Sequence, residues 1–130
     1  MAYVCCLAGI DRAAVPIFSS ALKSAGAPAL ATVAGLDVAH LGKLAPDLLV
    51  CDVDELTIDP LELLRQLRFV LPECLIALYT GNMKRTWSVA CHLAGVNCML
   101  SKDADERGLA KGLRDARRSG CYTDPRFVAA

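Results

Sequence analysis

The sequence of 130 residues contains no long hydrophobic run, although hydrophobic residues make up 55% of it. No apolar stretch approaches the ~20 residues that a membrane-spanning helix needs. The first residues, Met1 to Val4, carry none of the basic charge that opens a secretory signal. We therefore expect a cytoplasmic protein with no membrane partner, folded as one domain over residues 1–130.

The sequence also lacks an excess of charge of either sign. It has 14 basic and 14 acidic residues, so its formal net charge is zero. No overall field attracts nucleic acid or an anionic membrane surface. Basic residues gather toward the carboxyl terminus, where they indicate the solvated face of a terminal helix rather than a nucleic-acid patch.

Histidine is scarce, with two residues, and the seven cysteines contain no Cys-x-x-Cys pair. A zinc site is therefore not predicted. An odd number of cysteines fits a reducing compartment better than a set of disulfides. Five cysteines fall within or beside predicted strands, where cysteine behaves as a small buried hydrophobic residue: Cys5, Cys6, Cys51, Cys74 and Cys98.

What the sequence does contain is a regular alternation of strand and helix patterns. Asp59 and Pro60 mark one helix start, as N-cap and first helical residue, and Gly95 and Gly120 mark helix ends. Such alternation predicts a single flavodoxin-like (βα)5 domain, an α/β fold with a doubly wound parallel sheet. The predicted strands are 3–8, 29–33, 48–52, 74–79 and 97–100, and the predicted helices are 13–24, 38–44, 61–71, 84–94 and 105–119.

Three of the apolar runs stop at a chemically capable residue. The third strand stops at Asp52, the fourth at Thr80, and the fifth just before Lys102. Because α/β sheets place their sites at the carboxyl ends of parallel strands, we expect the three side chains to share one pocket. A carboxylate nucleophile, a hydroxyl and a cation are the groups that an aspartyl phosphate requires.

In order and spacing, these residues resemble the receiver domains of two-component response regulators, which have the CheY-like fold. Residues 45–52 resemble the segment that ends in the phosphoacceptor, residues 59–64 follow at the expected offset, and Thr80-Gly81 and Lys102 match the later motifs. The resemblance implies that Asp52 accepts a phosphoryl group, that Thr80 and Lys102 support it, and that a histidine kinase is a partner.

The carboxyl-terminal part narrows the resemblance to receivers of the NarL/LuxR class. Residues 98–104 and 120–126 carry this likeness. In that class a helix-turn-helix domain follows the receiver, and no such output domain is expected within residues 1–130. Binding to DNA would come only through that domain. The subclass also implies a homodimer.

The sequence departs from the family pattern at two places. Ala8-Gly9, or Gly9-Ile10, stands where the family has the acidic pair that holds magnesium. The remaining metal ligands implied by the resemblance are Asp52, the backbone carbonyl of Asp54 and, if the turn after the first strand is rearranged, Asp11, so Mg²⁺ binding is expected to be weak. Asp11 is alternatively an acid at the start of the first helix. Met99 replaces the aromatic switch residue and is expected in the core.

These departures leave two functional hypotheses open. The first is a conventional receiver that accepts phosphate on Asp52. The second, which we favour, is a pseudo-receiver that acts as an interaction or dimerisation module through its fourth helix, fifth strand and fifth helix, and controls a transcriptional output. Neither is an enzyme.

Other classes fit the residues less well. A phosphatase of the haloacid-dehalogenase type would use Asp54 as its general acid, but Thr57 stands three residues after Asp54, where that class places its threonine two residues after. A flavodoxin would need a Ser- and Thr-rich loop after the first strand. A redox sensor at Cys5, Cys6 or Cys121 is the remaining alternative.

Overall fold

The computed structural model describes residues 3–28 and 30–129, which form a parallel sheet with helices on both faces. The strand order is β2-β1-β3-β4-β5-β6. The elements in chain order are β1 (Cys5–Ala8), α1 (Val15–Ser24), β2 (Leu30–Val33), α2 (Val38–Leu44), β3 (Leu48–Cys51), α3 (Pro60–Val70), β4 (Leu75–Thr80), α4 (Arg85–Leu93), β5 (Cys98–Ser101), α5 (Glu106–Ser119), β6 (Tyr122–Thr123) and α6 (Pro125–Ala129).

The continuous apolar runs become the inner strands of the sheet, as parallel strands covered on both faces require. Every residue of β1, β3 and β5 is buried, whereas β2 at the edge is only partly buried. Side chains alternate between two cores. One core lies against α1 and α5 and includes Leu7, Phe18 and Leu113. The opposite core includes Leu49, Leu64 and Met99.

The predicted helix ends are confirmed. Asp59 is the N-cap of α3, where its side chain accepts a hydrogen bond of 3.0 Å from the Leu61 amide, and Pro60 opens the helix. Gly95 and Gly120 follow α4 and α5 with positive φ angles of 110° and 85°, the left-handed region that glycine adopts without steric cost. The predicted start of β2 at Ala29 lies outside the described residues.

The structure adds two elements after α5 that the sequence pattern did not predict. β6 pairs in parallel with β5, with Cys98 opposite Tyr122 and Met99 opposite Thr123, and α6 packs on α4. Phe127 of α6 is fully buried. A strand of two residues shows no alternation, so periodicity cannot reveal it. As a result, β5 is an inner strand and its outer edge is covered.

The cysteines are free thiols, and the five predicted to pack as small hydrophobic residues are buried, as is Cys91. Burial raises the pKa of the Cys5 thiol to about 11 and that of Cys74 to about 12. Thiols with such pKa values are poor nucleophiles near neutral pH. Only Cys121 is exposed among the cysteines. Within the described residues, no helix has the length and hydropathy to cross a membrane.

Candidate functional site

The sheet brings the ends of three neighbouring strands to one edge. β3, β4 and β5 are adjacent and parallel, with Cys51 opposite Leu78 and Thr80 opposite Ser101. This register places Asp52, which follows β3, close to Thr80 at the end of β4 and to Lys102 after β5. The three residues that the sequence singled out therefore lie together, although Thr80 is not hydrogen-bonded to Asp52.

Asp52 is held on both of its carboxylate oxygens. Its Oδ2 lies 2.7 Å from Nζ of Lys102, and its Oδ1 accepts a hydrogen bond of 2.9 Å from the amide of Asp54. The side chain of Asp52 is 15% exposed. Access to solvent is therefore narrow but present, and the carboxylate faces the same cleft as the ammonium group.

The hydrogen bonds of the Thr80 hydroxyl are not to Asp52. Its hydroxyl donates a hydrogen bond of 2.7 Å to Oδ1 of Asp54, and its Oγ1 accepts one of 3.1 Å from the amide of Asn82. Thr80 is fully buried. The hydroxyl thus acts as a donor to Asp54 and as an acceptor from the Asn82 amide, so both of its hydrogen-bonding functions are used within the chain.

Asp54 is the residue on which the hydrogen-bond donors converge. Besides the Thr80 hydroxyl, its carboxylate receives the amide of Gly81 at 2.8 Å and Nζ of Lys102 at 3.0 Å, both on Oδ2. Burial alone would raise the pKa of Asp54. The hydrogen bonds from Gly81, Thr80 and Lys102 outweigh it, so the pKa lies below the ordinary value for aspartate.

Lys102 lies between the carboxylates of Asp52 and Asp54 and contacts both. Partial burial would lower its pKa, but hydrogen bonds to Asp52 and Asp54 outweigh that effect and raise it above the ordinary lysine value. The ammonium also lies 5.7 Å from the centre of the Tyr79 ring. The cation is therefore fixed by two charges and an aromatic face.

A cleft of about 580 Å³ opens beside Asp52, where β1 and β3 lie side by side and the chain leaves them in different directions. Such a switch point is where doubly wound sheets bind ligands. The cleft is lined by residues that follow β1, β2 and β3, by Tyr79 and by Lys102. Asp11 lines it too, and its Oδ1 accepts a hydrogen bond of 2.9 Å from the amide of Ala13.

Asp11 is not the N-cap of α1, because Ala14 takes that position without a side-chain hydrogen bond. Instead it closes the turn that precedes the helix. Ala8 and Gly9, at the end of β1, bring no side-chain oxygen to the cleft. In the part of the chain that the structure describes, no group of three or more His, Cys, Asp or Glu side chains is arranged to hold a metal ion.

Sequence reasoning missed the side chain of Asp54 and the backbone amide of Gly81. The sequence analysis considered Asp54 for its backbone carbonyl as a metal ligand and, in the phosphatase alternative, for its side chain as a general acid, but did not connect that side chain with Thr80 or Lys102. The signal that could have found it is the spacing: an aspartate two residues after another can donate its amide to the first carboxylate. That turn directs the second side chain toward the next strands.

Comparison with solved structures shows the same architecture at low sequence identity. A LuxR-family response regulator from Aurantimonas is 16% identical with a TM-score of 0.78, over 99% of this chain and 94% of that one. The receiver domain of RcsB from Salmonella enterica is 14% identical with a TM-score of 0.78, over 99% of this chain and 98% of that one. The chain has the receiver fold.

The receiver fold also occurs in a protein of another description. A Burkholderia thailandensis protein described as a pilus assembly protein is 18% identical with a TM-score of 0.72, over 92% of this chain and 100% of that one. No protein-family model matches the chain, and no curated protein does. The fold is thus settled by these similarities, and function has to be argued from the site.

Proposed function

We propose that the chain is the receiver domain of a two-component response regulator that acts as a protein-interaction module, with an output that does not depend on phosphorylation of Asp52. The observation that carries the proposal is the placement of Asp52, Thr80 and Lys102 at one sheet edge of a receiver fold. An output that does not depend on phosphoryl transfer is supported at the same edge, because Thr80 and Lys102 are already bonded to Asp54.

The residues at the cleft do not fit a resident magnesium ion. Magnesium prefers octahedral coordination by oxygen, supplied by carboxylates and water. Both oxygens of Asp52 are engaged by Lys102 and the Asp54 amide, and Asp11 uses one oxygen for the turn before α1. Ala8 and Gly9 add no carboxylate, and among the described residues that line the cleft the positive charge that would offset a phosphoryl group comes from Lys102.

The acid–base state of Asp54 argues against a phosphatase. A general acid works best when its pKa is raised toward neutral pH, as burial or a neighbouring carboxylate does in known enzymes. At Asp54 the hydrogen bonds lower the pKa instead. A carboxylate held ionised by three donors suits binding and positioning rather than proton donation.

The exposed apolar side chains of α4 and α6 support the choice of interaction surface. Leu93 is 84% exposed and Val89, one turn earlier, is 52% exposed. Val128 of α6 is also exposed, and α6 packs on α4. Since β6 covers the edge of β5, we place the surface on α4 and α6, whereas the sequence pointed to α4, β5 and α5. A second copy of the chain is the proposed partner.

Phosphorylation is tested by intact mass after incubation with acetyl phosphate and magnesium, beside a conventional receiver as a reagent control. We expect little labelling of the wild type. Rapid and nearly complete single phosphorylation, lost in Asp52→Asn, would establish the conventional receiver as the correct alternative.

The surface is tested by sedimentation equilibrium of two matched variants. Leu93→Ser on α4 and Phe69→Ser on α3 each remove one exposed large side chain, 84% and 86% exposed in the wild type. We expect Leu93→Ser to shift the chain toward monomer and Phe69→Ser to leave self-association unchanged. Equal behaviour of the two variants would remove α4 from the proposal.

A further inference from the structure

Three hydrogen-bond donors from two sequence segments point at one small volume beside Asp52. They are the Thr80 hydroxyl at the end of β4, the Gly81 amide that follows it, and the Lys102 ammonium after β5. A hydroxyl, a backbone amide and a cation together form the kind of donor set that binds an oxyanion. In this chain the volume is filled by the Asp54 carboxylate.

We propose that Asp54 is a built-in anion, whose carboxylate occupies an oxyanion site formed by Thr80, Gly81 and Lys102 and keeps free oxyanions out of it. The proposal deepens the proposed function, because it concerns the same residues that would support a phosphoryl group. It assigns to Asp54 a role as competitor for this site rather than as a metal ligand.

The backbone explains why the carboxylate reaches the site. The Asp54 amide donates to Oδ1 of Asp52 at 2.9 Å, which fixes the turn after β3. From that turn the two aspartate side chains diverge. Asp52 faces the cleft lined by residues after β1 and β2, while Asp54 reaches across to the ends of β4 and β5. Lys102 lies between them.

The fit of the donors argues for a site rather than for a chance contact. Oδ1 of Asp54 accepts the hydroxyl at 2.7 Å, while Oδ2 accepts the Gly81 amide at 2.8 Å and the ammonium at 3.0 Å. The two shorter bonds have the lengths of charge-assisted hydrogen bonds, and the ammonium bond has an ordinary N–H···O length. The Thr80 hydroxyl is oriented by the Asn82 amide, so it is a prepared donor.

A tethered carboxylate has an advantage over any free anion. Because it belongs to the same chain, its local concentration is fixed by the turn after β3 and does not fall on dilution. A free oxyanion must displace it and must also approach two aspartate carboxylates. Replacing Asp54 by a neutral side chain removes both the competitor and part of the repulsion.

The test is a sulfate titration at constant ionic strength, followed by the amide shifts of Gly81 and Lys102 in the intact chain. Sulfate is chosen because it is an oxyanion that cannot transfer a phosphoryl group. We compare the wild type with Asp54→Ala and with Glu55→Ala. Glu55 is a matched control, since it lies in the same loop, carries the same charge and is not among the hydrogen-bond or ion-pair partners of the three donors.

We expect saturable shifts in Asp54→Ala, with sulfate bound on the order of tenfold or more tightly than by the wild type or by Glu55→Ala. Asp54→Asn, which keeps the shape of the side chain, serves if Asp54→Ala does not fold, and should bind sulfate with intermediate affinity. Equal sulfate binding by the wild type and both Asp54 variants, or no binding by a folded variant, would overturn the proposal.

A second measurement separates this inference from the proposed function. The Gly81 amide proton should resonate further downfield in the wild type than in Asp54→Asn, because its bond to a carboxylate is charge-assisted. This readout concerns the unphosphorylated chain. It therefore holds or fails whatever the labelling of Asp52 shows, and identical Gly81 shifts in the two proteins would mean that Asp54 does not occupy the site.

Discussion

The ammonium nitrogen of Lys102 lies 2.7 Å from Oδ2 of Asp52, and the same nitrogen lies 3.0 Å from Oδ2 of Asp54. One cation therefore offsets two carboxylates that stand two residues apart on the same loop. The lysine side chain is 33% exposed, whereas the two carboxylates are 15% and 21% exposed. Removing the cation would leave two poorly solvated negative charges side by side.

We predict that Lys102→Met lowers the free energy of unfolding by about 1–3 kcal/mol, since the stem is retained while the charge is lost. Lys111→Met is the control. Its ion pair with Asp115 is also 2.7 Å long, but the lysine is 63% exposed, so the loss should stay below about 0.5 kcal/mol. Urea unfolding measures both. Adding Asp52→Asn to Lys102→Met should recover part of the loss, and equal losses in the two single variants would contradict this account.

A second prediction concerns the acid side of the stability curve. Because hydrogen bonds hold the pKa of Asp54 below its ordinary value despite burial, the ionised form stabilises the fold. This contribution is complete above the unfolded-state pKa of about 3.9 and disappears as the pH falls through the lower folded-state pKa. The unfolding free energy of the wild type should therefore fall more steeply on acidification than that of Asp54→Asn. Parallel curves from pH titrations of urea unfolding would refute the prediction.

A third prediction concerns the opposite end of the sheet, where Arg68 of α3 joins three segments. Its guanidinium donates to the carbonyl of Gly95 at 3.1 and 2.7 Å, to Leu71 at 2.8 Å and to Cys74 at 2.9 Å. Removing it leaves several partly buried carbonyl groups without donors. We expect Arg68→Ala to cost about 2–4 kcal/mol in thermal or urea unfolding.

Arg65→Ala is the matched control for Arg68→Ala. It lies on the same helix, is 56% exposed on its side chain, and makes one pair of 3.5 Å with Glu62. Its loss should be within about 0.5 kcal/mol. A large effect of Arg65→Ala, or a small one of Arg68→Ala, would show that the hydrogen bonds of Arg68 are not what stabilises the fold here.

The positions of the strand ends could be predicted because they depend on patterns that the sequence carries locally. Apolar runs that stop at Asp52, Thr80 and Lys102 specify inner parallel strands, and the sheet then brings their ends together. The contacts within the site could not be predicted in the same way. Whether Thr80 bonds to Asp52 or to Asp54 depends on the turn after β3, in which the Asp54 amide donates to the Asp52 side chain.

The strand β6 also could not be predicted from local sequence patterns. Its two residues pair with β5 where Gly112 leaves room for the carboxyl-terminal segment to approach α5 closely. A Cβ atom at Gly112 would lie 2.7 Å from Cε2 of Tyr122 and 2.8 Å from Cδ2 of Leu100. Sequence periodicity cannot predict this close approach, because the approach brings together residues of a helix and of two strands.

This approach gives the fourth prediction. Gly112→Ala should lower the unfolding free energy by about 1–3 kcal/mol, because overpacking outweighs the gain of about 1 kcal/mol that alanine brings to a helix. Gly42→Ala in α2 is the control, since its Cβ would meet Val70 at 3.4 Å, an ordinary contact. There the helix gain should prevail and raise stability by about 0.5–1 kcal/mol.

Hydrogen exchange locates the damage in Gly112→Ala. The amide of Tyr122 donates to the Asn97 carbonyl at 2.9 Å, and the Asp124 amide donates to Met99 at 3.0 Å. We expect a displaced Tyr122 ring to weaken both bonds, so both amides should exchange faster in Gly112→Ala. Their exchange should not change in Gly42→Ala. If Gly112→Ala were as stable as the wild type with both amides protected, the close packing of α5 on β6 would not be what fixes the sixth strand.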